Sequence, residues 1–396
     1  MLTIRAMSDG RGYSSRHLEN RDYYAEGERV TGQWQGRASE LLELRGEVKT
    51  SDFESLCQGL DPRTGQFLRQ RHSADRVASD GTTQSRGRHL YDFTISAPKS
   101  VSIMAILGED ERLIEAHADA VAEALGELER FAASRVRQSG ANEDRETGNL
   151  AIAVYHHDTS RELDPQLHTH AVAADLTYDG KEGRWKALQA SGIYERRAYL
   201  TEVYRNSLAR QVRLLGYEIE SRRDLRGCDC GFEIRGVSDE LLTRFSQRSR
   251  QRDEAITEYV AIKGRRPTDN EIAVLVRESR AGKLIEISTD ELRARQRSRL
   301  TPEEACSLAE LRPVRNHRAI PLSSAEVSLE YAKEDLFERV SVSRDHEILT
   351  EALRHGRGQI SLEELRGIVT CRNHPANYFA MATRSPQAQA SSVSGT

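Results

Sequence analysis

A chain of 396 residues, 37% hydrophobic and 30% charged, has room for two or three structural units and carries more polar surface than one compact core would need. No stretch approaches the roughly 20 apolar residues of a membrane-spanning helix, which predicts no membrane insertion. The formal net charge of −4 argues against a uniformly basic nucleic-acid binder, so any such site must be a local basic groove.

The opening Met1-Leu2-Thr3-Ile4-Arg5 lacks an apolar signal core, and the five cysteines (Cys57, Cys228, Cys230, Cys306, Cys371) are scattered and odd in number. Both features predict a protein of the reducing cytoplasm.

In chain order, the first 50 residues read as polar loops with helical stretches and hold Tyr13, Tyr23 and Tyr24. Residues 56–88 are rich in Arg, Ser, Gly and Gln and read as loop and short helix. Residues 90–96, β-branched and aromatic, read as a strand. Residues 100–137 read as one long helical stretch, with Ala118, Val121, Leu125 and Leu128 at helical spacing. Two strands follow, 150–156 and 167–174, joined by a polar loop containing Asp164-Pro165. Residues 194–215 read as a helix, and 217–220 against 231–235 as a hairpin with Gly227 near its turn. From 238 to 312 the pattern is helical and heavily charged. A small unit spans 323–369, and the Ser- and Gln-rich tail after 383 reads as disordered.

The chemistry concentrates around His156, His157, His168 and His170. Residues two apart on a strand face one side, so His168 and His170 project together. His157 closes the preceding strand and reaches the same patch if the two strands pair. Three imidazoles on one sheet face suit a divalent metal with open positions. His156 and His157 face opposite ways, so one of them is a ligand at most. A metal held by neutral imidazoles keeps its charge for an anionic phosphodiester, and the N-terminal tyrosines offer a nucleophile able to form a covalent ester. Asp92 is a candidate base or a partner for a histidine N–H.

At these residues the sequence resembles the conjugative relaxases of the TraI/TrwC-like (MobF) type, within the HUH endonucleases. Three motifs carry the resemblance: the tyrosine region ending Asp22-Tyr23-Tyr24, the run from Asp92 through Ser96-Ala97-Pro98-Lys99-Ser100 to Ser102, and His157 with His168-Thr169-His170. Trp34-Gln35-Gly36 and Gly46-Glu47-Val48 fit the family's opening pattern, and the likeness spans about residues 1–315.

The resemblance implies an α+β fold: a central antiparallel sheet of about five strands with flanking helices, plus a C-terminal helical extension. It implies a catalytic core over 1–235, a DNA-clamping helical extension over 236–315, and a small helical unit over 316–372 like the start of a missing helicase region. Residues 373–396 would be a tail. His157, His168 and His170 would hold Mg²⁺ or Mn²⁺, with Asp92 orienting a histidine or accepting the tyrosine proton. A tyrosine would attack one phosphodiester at an origin of transfer, leaving a 5′-phosphotyrosine, and the strand would later be rejoined. The family's first tyrosine cluster is shifted here, so Tyr13 is expected to nick and Tyr23 or Tyr24 to serve the second transfer, with Tyr23 as sole nucleophile the alternative.

Expected partners are single-stranded DNA and the origin hairpin, accessory relaxosome proteins and a type IV secretion coupling protein. The protein would be cytoplasmic and pass to the recipient cell attached to DNA. No phosphate-binding loop sequence occurs, so no ATPase activity is expected. Arg69, Arg71, Arg76, Arg86, Arg88 and Lys99 are candidates to line a phosphate channel, although singly each reads more simply as a solvated loop residue. Tyr91, Trp34 and Trp185 read as core aromatics before base-stacking ones, and Cys228-Asp229-Cys230 as a turn. A metal-activated-water hydrolase and a non-cutting origin-binding module are the rival readings.

Overall fold

A computed structural model describes residues 1–7, 31–69, 89–138, 141–224, 227–268, 287–313 and 324–371, with short stretches at 76–77, 83–84, 271–272, 274–275 and 378–380. In chain order the elements used below are strand β1 (Leu2–Met7), strand β2 (Gln33–Gln35), helix α1 (Arg37–Leu41) and helix α2 (Thr50–Cys57). Strand β3 (Leu90–Ser96), helix α3 (Lys99–Ile106) and helix α4 (Arg112–Glu129) come next. They are followed by strands β4 (Ala133–Gln138), β5 (Ala141–Glu146), β6 (Ile152–Thr159) and β7 (Pro165–Ala174). Helix α5 (Arg197–Leu214) and the hairpin of β8 (Ile219–Arg223) and β9 (Asp229–Ile234) complete the core. Beyond it lie α6 (Gln247–Lys263), α7 (Thr289–Arg297), α8 (Pro302–Leu311), α9 (Ala325–Phe337), α10 (Asp345–His355) and α11 (Leu362–Cys371).

The central sheet has five strands in the order β1-β3-β7-β6-β2, all antiparallel. Its two faces are covered unequally. Phe93, Ile95, Val154, Leu167 and Ala171 point to one face, where α3, α4 and α5 bury them in the main core. On the other face Trp34, Ala153, Tyr155, Val172 and Ala174 form a smaller cluster with Phe53 and Leu56 of α2. That cluster covers one end of the sheet, and the polar residues of β3, β6 and β7 occupy the rest of the face.

Helix α4 shows why the core forms. Leu113, Ala116, Ala120, Val121, Ala124, Leu125 and Leu128 recur at helical spacing and are all buried. The single long helix expected over 100–137 is instead two helices and a strand. Gly108 and left-handed Glu109 (φ 55°) end the first helix, and Asp110, bonded to Arg112 and to the Tyr217 hydroxyl (2.7 Å), begins the second. Past Ala132 burial alternates along Ser134, Arg135, Val136 and Arg137, a period of two that belongs to β4, paired with β5. Strand β1 also went unread in the N-terminal stretch, where Leu2 alone is buried as it pairs with β3. Trp34 and Tyr91 lie in the core as expected.

The extension is anchored at its helix starts. Thr301 and Glu304 form a capping box on α8 behind Pro302, and Ser288 caps α7. Helix α6 buries none of its side chains and ends at left-handed Gly264. The last three helices share the main core: Leu329, Ile348, Leu353 and Leu365 join Tyr204 and Leu208 of α5 in one cluster. Among the described residues no helix is long and apolar enough to cross a membrane.

Candidate metal centre

Strand register brings the histidines together. His157 faces His168 across the β6–β7 ladder, and His170 lies opposite Thr94 of β3. Directly paired residues project from the same side of a sheet, so His157, His168, His170, Thr94 and Asp92 share one face. The ring centroids stand 5.2 Å apart for His157–His168, 5.5 Å for His157–His170 and 5.3 Å for His168–His170. Imidazoles sharing one ion at about 2 Å from each nitrogen stand roughly that far apart. Among the described residues no group of three or more His, Cys, Asp or Glu is placed to hold a metal ion as it stands.

The hydrogen bonds select the right nitrogens. His170 Nδ1–H donates to both Asp92 oxygens, each at 3.0 Å, while the Thr94 hydroxyl donates to Asp92 Oδ1 at 3.2 Å. His168 Nδ1–H donates to the Gln166 carbonyl at 3.0 Å. Both rings thereby carry their proton on Nδ1, which leaves the Nε2 lone pairs for a metal. Burial pushes the His168 imidazole down to about 4, keeping it a neutral ligand near pH 7. The donor set fits a divalent cation that also binds phosphate.

His156 faces the opposite side, as the strand period requires. Its Nδ1 meets the Thr169 hydroxyl at 2.8 Å. His117 of α4 reaches the same hydroxyl through Nε2 at 2.9 Å, and its Nδ1 meets the Tyr204 hydroxyl at 2.7 Å. A hydroxyl donates once and accepts besides, so Thr169 serves both rings. This buried network lies on the sheet's far side at the residue between His168 and His170. Spacing offered no signal for it, because His117 sits in a helix whose pattern reads as ordinary core.

The run from Ala97 to Ser102 holds the start of β7 in place. Ala97 N–H donates to the Leu167 carbonyl (3.0 Å), Leu167 N–H to Ser102 Oγ (3.0 Å) and Lys99 Nζ to the Pro165 carbonyl (3.0 Å). Ser100 holds the β8–β9 hairpin: its N–H donates to Glu233 (2.7 Å) and its Oγ accepts from Ile234 N–H (2.7 Å).

Of the other candidates, Tyr13, Tyr23, Tyr24, Arg71, Arg86 and Arg88 lie outside the described residues, as does the side chain of Arg76. Arg69 and Lys99 are described, and both turn to the protein's own oxygens. Arg69 pairs with Asp175 at 2.9 Å, and half-buried Lys99 is pulled down to about 8, burial outweighing Asp164 and Glu233. Cys228 and Cys230 flank Asp229 at the start of β9 in the expected hairpin.

The sequence model of the TrwC relaxase family matches residues 7–302. Two multifunctional conjugation proteins TraI from Escherichia coli, one of them of strain K12, are 36% and 35% identical over 274 residues. Those matches cover 67% of this chain, which spans only 14% of the length of these relatives. The conjugative relaxase TrwC, in a metal-bound complex with oriT DNA, superposes with a TM-score of 0.61 at 32% identity, over 78% of this chain and 98% of that one. The same relaxase with a 27-mer DNA comprising the recognition hairpin and the cleavage site gives a TM-score of 0.60, with the same identity and coverage. An antiparallel sheet presenting three imidazoles on one face is the layout of an HUH endonuclease. Within that class, the chain belongs to the TrwC relaxase family.

Proposed function

We propose that this chain nicks one DNA strand at a plasmid origin of transfer and later rejoins it, through a 5′-phosphotyrosine intermediate. The observation that carries the reading is the His157, His168 and His170 trio on one face of the sheet, with Asp92 fixing the tautomer of His170. The solved TrwC complexes with oriT DNA support the substrate class. Mg²⁺ or Mn²⁺ held by the three histidines would supply Lewis-acid polarisation of the scissile phosphate.

The chain's own residues supply the rest. A phenolate oxygen from Tyr13 attacks phosphorus, with Tyr23 or Tyr24 for the second transfer. The P–O3′ bond breaks, its electron pair stays on the 3′ oxygen, and that oxygen takes up a proton. Asp92 accepts from His170 Nδ1–H and so keeps Nε2 of that ring aimed at the ion, and the tyrosine proton passes to a nearby base. Arg71, Arg76, Arg86 and Arg88 follow the phosphate backbone, while Arg69 and Lys99 brace the protein from within. The protein works in the cytoplasm with accessory relaxosome proteins and a type IV secretion coupling protein, and crosses to the recipient bound to DNA. No ATP hydrolysis is expected of these residues, which hold no phosphate-binding loop sequence; DNA-stimulated ATPase activity in the pure protein would refute that.

The test is nicking of a supercoiled plasmid bearing the cognate origin, with Mg²⁺ or with EDTA. Wild type and His156→Ala should convert plasmid to the open circle with metal only, and His168→Ala should lose at least tenfold in rate. Unimpaired nicking in EDTA or by His168→Ala would overturn the reading.

A further inference from the structure

The loop joining the two metal strands is gripped by the helical extension, 83 to 135 residues further along the chain. At the end of β6 the pairing register slips between His157 and Thr159, so Asp158 sits at a bulge directly after a metal-facing histidine. The Asp158 carboxylate receives a short hydrogen bond from Arg293 Nη2 on α7. Arg293 is braced in turn by Gln296, through Nη1 to Oε1 at 2.9 Å. Gln296, itself buried, donates to the carbonyl of left-handed Leu163 at 2.9 Å. Asp164 closes the loop and is 1% exposed. It accepts from Arg299 (2.8 Å) and from Gln247 N–H (2.8 Å) and Nε2 (2.9 Å).

A bulge has fewer ladder bonds to fix it than a regular strand, so its position depends on what else holds it. Here the holding groups belong to α7 and its neighbours, and the bulged residue is next to His157. We propose that Arg293 is a positioning residue for the metal centre: through Asp158 it sets where β6 ends and hence where His157 stands. The extension would then tune the metal site as well as pack against the core. This inference rests on the three-histidine metal reading above.

The direct test is Mn²⁺ affinity of the full chain without DNA, read from the free-ion electron paramagnetic resonance signal. Folding is verified by circular dichroism. Arg293→Ala and Asp158→Asn should each weaken Mn²⁺ binding roughly tenfold, the scale of groups that orient ligands. Arg293→Lys should fall between, and the double variant should be no weaker than either single one, because the two act as a pair. Arg295→Ala, a surface residue of the same helix paired with Glu291, should bind like wild type. Should Arg293→Ala fail to fold, near-isosteric Asp158→Asn carries the test. Wild-type affinity in both Arg293→Ala and Asp158→Asn would overturn the inference while leaving the metal centre standing. Absence of Mn²⁺ binding by the wild type would overturn both.

Discussion

His168 shows how one residue's surroundings become a property of the whole protein. Buried among other imidazoles, it is held neutral with its ionisation pushed down to about 4, whereas an unfolded chain's histidine takes up a proton near 6.5. The unfolded state therefore binds more protons between those values, and stability is lost as pH falls through that window. In the metal-free protein, urea unfolding should show a loss of roughly 1–2 kcal/mol from this residue between pH 7.5 and pH 5. His168→Asn should flatten that part of the slope; an unchanged slope would contradict the burial argument. The histidine trio was legible in the sequence, because strand side chains alternate strictly and the pattern of His157, His168 and His170 follows that alternation. His117 was not, since its partners Thr169 and Tyr204 are 52 and 87 residues distant.

At the scale of elements, the motif from Ala97 to Ser102 could be recognised from sequence, but not what it does. It bonds two segments that spacing cannot relate to it, the start of β7 and the β8–β9 hairpin more than 130 residues away. Ser100 is fully buried, and its Oγ is the acceptor for Ile234 N–H. Ser100→Ala strands that backbone donor and should cost about 1–3 kcal/mol, seen as a lower urea midpoint with an unchanged transition slope. An unaltered midpoint would show that the hairpin is held by its apolar contacts alone. The region 100–137 forms two helices and a strand where the spacing predicts one helix. Its apolar spacing is helical up to Leu128, but the two breaks come from a left-handed Glu109 and from cross-strand pairing with β5, and neither leaves a periodic trace.

Across the whole molecule, the C-terminal helices are built into the core through a buried charge cluster. Arg357, 4% exposed, donates to Glu202 of α5 at 2.7 Å and to Asp229 of β9 at 2.7 and 2.9 Å. Removing Arg357 takes the shared cation from buried Glu202 and half-buried Asp229, which keep Arg205 at 2.7 and 3.8 Å, so the cost falls below the roughly 3–5 kcal/mol of a fully orphaned buried pair. Arg357→Ala should therefore lower the thermal midpoint of the entire protein in one transition. A separate, early transition of the C-terminal helices with the core intact would contradict a shared core. Composition gave little warning of a nucleic-acid role, because the acidic balance averages over the whole surface while the proposed metal centre occupies one patch of one sheet face.

Covalent catalysis by tyrosine at this sheet is tested by the mass of the protein after reaction with a single-stranded oligonucleotide spanning the cleavage site. With Mg²⁺ present, peptide mapping should find the 3′ portion of the oligonucleotide joined through its 5′ phosphate to Tyr13. The adduct should be absent in Tyr13→Phe and in EDTA. Cleavage of the oligonucleotide with no protein-bound fragment would contradict a tyrosine nucleophile and leave a metal centre that activates water.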